Sequence, residues 1–203
     1  MHDAGLVSAM VSLHATEGPL FAEITRTKAE WLEPTVRGIH ALRKAGVYVM
    51  LSHVINALNF REWPRFVDYA RLHFPGAEIF LFFVYPSVKG EGHSHLYPSL
   101  GEVRPYWLEG LKRAREIGVK VTVDSLAGLP LCFMGEFAED SRWSRVEEHE
   151  SNTEGEVDDH IVKAPEMRHG QGCIRCKHVE HCPGFWSDYL DRHGDAELVP
   201  VTD

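Results

Sequence analysis

Apolar runs alternate with segments of helical periodicity along most of the chain. LVSAMVSLH (6–14) is apolar and rich in β-type residues, which predicts a buried strand. Residues 15–31 hold no sustained period and are expected to form an irregular connection. Pro34 suits a helix start, Leu32, Val36, Ile39 and Leu42 share one helical face, and Gly46 supplies a stop. VYVMLSHVI (47–55) is apolar enough to be covered on both faces of a sheet. Asn59 followed by Glu62 reads as a capping box, with Pro64 in the first turn of a helix that runs to about Phe74 and buries Phe66, Val67 and Ala70. AEIFLFFVYP (77–86) is a third strand. Ser99 and Glu102 form a second capping box, ahead of a stripe of Val103, Trp107, Leu111 and Ala114 that Gly118 closes. Pro105 lies deep for a first-turn proline, which puts the expected helix start near Arg104. VKVTVDSL (119–126) is a fourth strand.

Strands separated by helices in this order predict an α/β fold with a parallel sheet, because each connection is long enough for a right-handed crossover. Sites in such sheets lie beyond the carboxyl ends of the strands. That rim holds Ser12, His14, residues 52–59, 85–95 and 125–132.

Composition changes this picture little. The 203 residues suit one domain, or one domain with a small appendage. The net charge of −9 is local: residues 136–159 hold ten acids against two arginines, a net −8. The remainder is close to neutral, which weighs against a broad nucleic-acid surface. There is no signal-peptide pattern and no apolar run long enough to span a bilayer, so a cytoplasmic protein without a membrane segment is expected.

The cysteines change it more. Cys173, Cys176 and Cys182 follow a C-x2-C-x5-C spacing ahead of Pro183 and Gly184, and Cys132 lies upstream in LPLCFM, on the expected rim. Buried packing, a disulfide or a redox pair are the bland alternatives, but disulfides are rare in a reducing compartment and the third cysteine argues against a simple C-x-x-C redox pair. Soft thiolates gathered in this way suit zinc or an iron–sulfur centre. His178 and His181 lie inside the loop and keep zinc open as the metal. PGFWSDYLDRHG (183–194) reads as a short helix starting beside Cys182, with Phe185, Trp186, Tyr189 and Leu190 on its apolar face.

Two stretches together resemble radical S-adenosylmethionine (radical SAM) enzymes. VSLHATEGPLFAEITRTKAEWLEPTVRGIHALRKAGVYVMLSHVINALNF (11–60) resembles the fourth and fifth strands of their partial barrel. CIRCKHVEHCPGFWSDYLDRHGDAELVPV (173–201) is similar to the SPASM- or twitch-like tail that holds an auxiliary cluster, and LPLCFM resembles its upstream cysteine. The resemblance implies a partial parallel (β/α) barrel of about four βα units over 1–131, an acidic linker or lid over 132–163, and a cysteine-rich tail over 164–203. It implies an auxiliary [4Fe–4S] cluster on Cys132, Cys173, Cys176 and Cys182. It places Ser12 and, more loosely, Ser52 at an S-adenosylmethionine site, and Asn59 and His14 near substrate, a small molecule or peptide. Capping accounts for Asn59 as well, and a hydrogen-bonded structural role accounts for His14. His93 and His95 are read as part of a solvated loop.

The departures are as informative. The C-x3-C-x2-C motif that holds the cleaving cluster in that family is absent, as is the glycine-rich and acidic motif after the second strand. Trp186 stands where related tails have a fourth cysteine. The resemblance therefore implies a fragment, a truncated form or one part of a split enzyme, with S-adenosylmethionine bound only if a missing N-terminal half or complementary subunit supplies the rest. The rival reading is a zinc-stabilised, non-catalytic binding module on a parallel α/β scaffold. A hydrolase ranks below both, since G-x-S-x-G, H-E-x-x-H and phosphate-loop motifs are all missing.

Overall fold

The computed structural model describes residues 5–84, 94–123, 129–140 and 167–202. Its centre is a four-stranded sheet of β1 (Ser8–Ser12), β2 (Tyr48–Ile55), β3 (Glu78–Phe83) and β4 (Val121–Val123). The strands lie side by side in chain order and every pair is parallel. Unlike a doubly wound sheet, the order never reverses, so connections of one hand stack the helices on one face. Burial agrees. The row Val49, Leu51, Ile55, Ile79, Leu81, Phe83 and Val123 is buried, whereas Met10 and Tyr48 on the opposite row are about half exposed. That opposite row, which also holds Ser12, Ser52, Phe80, Phe82 and Thr122, follows from the strict side-to-side alternation of strand residues.

The helices α2 (Leu32–Lys44), α3 (Trp63–His73) and α4 (Leu100–Ile117) cover the buried row. The α3–α4 contact rests on an absent side chain: a Cβ at Gly110 would lie 2.0 Å from Trp63 Nε1. Trp63 fills that notch, is fully buried, and donates to the Trp107 carbonyl at 3.3 Å.

Several local expectations need correction. Residues 15–31 are not irregular: α1 (Gly18–Thr25) forms there, with Pro19 in its first turn and Arg26 ending it at φ 53°. It buries one residue, Phe21, so it left almost no periodic signal. Asn59 stands at the N-cap of a 3-10 turn over Phe60–Glu62 that precedes α3, but its side chain makes no capping bond, because Asn56 N–H and the His14 and Val54 carbonyls occupy it. The second capping box is present, and α4 begins at Leu100 with Pro105 inside it rather than near Arg104. β1 and β2 are shorter than their apolar runs, and residues 85–93 and 124–128, which hold the ends of the expected third and fourth strands and the loops after them, with His93, lie outside the described residues, as does most of the acidic segment (141–166).

The C-terminal tail joins the same core. After α5 (Leu131–Met134), β5 (Met167–Arg168) pairs antiparallel with β6 (Phe185–Trp186), and α6 (Ser187–His193) follows. The expected helix beside Cys182 thus starts at Ser187 instead, because Phe185 and Trp186 are drawn into strand pairing and pack against Phe83 at ring distances of 6.2 and 6.0 Å. The hairpin needs Gly184, whose φ is +82° and where a Cβ would meet the Arg168 carbonyl oxygen at 2.2 Å. Among the described residues no helix is long and apolar enough to cross a membrane.

Candidate metal centre

Arg104, near the amino end of α4, donates to the Phe133 carbonyl at 3.2 Å, which puts α5 and its Cys132 at the carboxyl end of the sheet. The other three cysteines arrive from the tail. Cys173 and Cys176 flank the end of a 3-10 turn over Gln171–Arg175, where the Cys176 N–H donates to the Cys173 carbonyl at 2.9 Å. Successive turns carry the chain to Cys182, whose N–H donates to the His178 carbonyl at 2.8 Å. All four thiols are free.

The four sulfurs are electrostatic neighbours. Burial, followed by the charges of Cys182, Cys173 and Cys176, pushes the Cys132 thiol up to about 12. Burial also raises Cys173, with Cys182 and Cys176 adding to it. The Cys132 and Cys173 thiols therefore stay protonated at neutral pH until a bound cation displaces the proton. Two backbone donors already point at the sulfurs: Leu131 N–H to Cys182 Sγ and Val201 N–H to Cys176 Sγ, both at 3.4 Å. Such N–H···S contacts stabilise ligating thiolates. The donor set therefore fits a thiolate-ligated group. No three His, Cys, Asp or Glu side chains among the described residues are drawn tightly enough together to hold a single metal ion. A cleft of about 700 Å³ beside the centre is lined by Cys132, Arg104, Glu136, Lys177 and His178.

The remaining predicted residues separate into two groups. Ser12 and Ser52 are register partners on one face of the sheet, so the structure brings them together. His14 and Asn59 are tied into the rim as scaffold. Val54 N–H donates to His14 Nδ1 at 3.2 Å, and burial lowers the His14 pKa to about 4. Asn59 is fully buried; its amide donates to the carbonyls of His14 and Val54 at 3.0 and 2.9 Å and accepts from Asn56 N–H. Both amide protons are thereby used inside the protein. His53, one residue beyond Ser52, faces the core instead, with its ring 3.9 Å from that of Phe66. His95 is exposed, and Trp186 is buried among aromatic rings rather than at the sulfurs.

Sequence reasoning missed the two backbone donors, since an N–H carries no residue identity. It also missed Tyr189 and Glu197, which read as a helix-face aromatic and a tail acid. The chain matches no protein-family model, no curated protein and no solved structure.

Proposed function

We propose that the chain is the auxiliary-cluster part of a radical SAM type enzyme and binds a [4Fe–4S] cluster through Cys132, Cys173, Cys176 and Cys182. The observation that carries this reading is the convergence of four free thiols from two remote parts of the chain at the carboxyl end of a parallel sheet. When bound, such a cluster supplies one-electron transfer. A single zinc ion, with Zn–S bonds of about 2.3 Å, needs its sulfurs within about 4 Å of one another. The likeness of the C-x2-C-x5-C tail to auxiliary-cluster tails favours a polynuclear centre over the zinc-stabilised module.

In this reading the protein's own residues do three things. Leu131 and Val201 donate N–H groups that spread the thiolate charge. The aromatic packing of Phe83, Phe185 and Trp186 fixes the tail to the sheet and keeps water from that side. Ser12 and Ser52 present paired hydroxyls at the rim, where the methionine end of S-adenosylmethionine would lie. A complementary polypeptide carrying C-x3-C-x2-C would dock on the sheet, whose first strand exposes Met10 and is preceded by exposed Leu6 and Val7. The protein would work in the cytoplasm on a small molecule or peptide.

Anaerobic reconstitution tests the proposal. Wild type is expected to take up about four iron and four sulfide per chain and to turn brown, with Cys132→Ser losing most of both. Iron uptake without sulfide, or colourless protein holding one tightly bound zinc, would overturn it.

A further inference from the structure

Residues 195–201 cross the cysteine loop as a strap and are tied at both ends. At one end Asp195 Oδ2 accepts from Gln171 N–H at 2.6 Å, at the start of the turn that carries Cys173. At the other, the Val201 carbonyl accepts from Lys177 N–H at 2.8 Å while Val201 N–H reaches Cys176 Sγ. Between these ends Glu197 turns the opposite way, toward α4. Its Oε1 accepts from Gly101 N–H at 2.7 Å, and its Oε2 accepts from the Tyr189 hydroxyl. The same hydroxyl oxygen accepts from Leu100 N–H at 2.7 Å. Two first-turn N–H groups of α4 that Ser99 does not reach are thus satisfied by the tail, one directly and one through Tyr189.

An acidic side chain suits that place because a helix amino end carries partial positive charge. The link from Glu197 to the sulfur is short and has little slack. Pro200 has a fixed φ, and its ring packs on Gly172, where a Cβ would come within 3.0 Å of it.

We propose that Glu197 is a positioning residue for the cysteine centre: by anchoring the strap to α4, it holds the Val201 N–H on the Cys176 sulfur and so sets the reduction potential of the bound cluster. The proposal rests on the iron–sulfur reading above. A hydrogen bond to a ligating sulfur stabilises the more negative, reduced state, so loosening it moves the potential down.

The test is a redox titration of reconstituted protein followed by electron paramagnetic resonance, beside iron and sulfide counts. Glu197→Ala is expected to keep its iron and sulfide and to titrate at a more negative midpoint. Glu197→Gln, whose amide oxygen still accepts from Gly101 N–H, is expected to shift less in the same direction. An unmoved midpoint in Glu197→Ala overturns the proposal. Should that variant fail to fold, Tyr189→Phe carries the test, since it keeps the ring against Phe185 and removes only the bridging hydroxyl; a negative shift supports the proposal and an unmoved midpoint overturns it. In metal-free protein, hydrogen exchange at the Val201 amide is expected to be faster in Glu197→Ala, and equal exchange overturns the anchoring. Wild type that takes up no cluster removes the iron–sulfur reading itself, which separates the two failures.

Discussion

His53 shows how one residue ties pH to stability. It is 1% exposed, its Nδ1 pairs with the Leu13 carbonyl at 2.9 Å, and its Nε2 has no hydrogen-bond partner among the described residues. Burial, then the nearby His14, lower its pKa to about 3, with the Leu13 bond opposing. The folded form therefore binds fewer protons than the unfolded chain between about pH 6.5 and 3, so stability is full above 6.5 and falls as pH drops through that window. Between pH 7 and 5 His53 alone accounts for about 2 kcal/mol. Urea unfolding at the two pH values checks this, with a shallower loss expected in His53→Gln. Glu78 adds to the acid loss lower down. Burial raises its pKa, but bonds from Thr122, Lys120 and Tyr48 outweigh that and hold it below the usual range. Its contribution is present above the unfolded value and disappears as pH falls through the folded one.

At the scale of elements, helix contacts depend on what is missing. Alanine favours a helix over glycine by about 1 kcal/mol, yet at Gly110 the added Cβ would overlap the Trp63 indole at 2.0 to 2.6 Å. Trp63 is buried on every side and has nowhere to move. Overpacking costs of about 1–3 kcal/mol outweigh the propensity gain, so Gly110→Ala is expected to lower the melting temperature by several degrees. Calorimetry of the variant checks it. The same elements show what pattern alone conveys. The stripes of α2, α3 and α4 were legible because each repeats over several turns. α1 was not, because eight residues with one buried side chain carry no period. Phe185 and Trp186 look helical in sequence, and only their pairing with Met167 and Arg168 makes them strand.

The whole molecule couples its tail to its sheet. Cys173, Phe185, Trp186, Tyr189, Leu190 and Leu198 belong to the same buried cluster as Leu51 and Trp107. Cluster binding should then stabilise the sheet as well as the tail, since a group that binds only the native state shifts the whole unfolding equilibrium. Reconstituted protein is expected to melt in one transition, above the metal-free form. Two transitions, with only the smaller one moved by loading, would show that tail and sheet unfold separately.

By itself the amino-acid sequence determined the parallel α/β arrangement, through helix-period stripes and uniformly apolar strands, and it singled out the cysteines by spacing. Both signals are local, and residues adjacent in the chain carry them. Tertiary structure alone decided the rest: that Cys132 meets thiols some forty to fifty residues away in sequence, that Asn59 braces two strand ends instead of capping a helix, and that Glu197 closes the first turn of α4. Those outcomes depend on which backbone N–H and carbonyl groups the packing leaves unpaired, and every residue type except proline carries the same two groups.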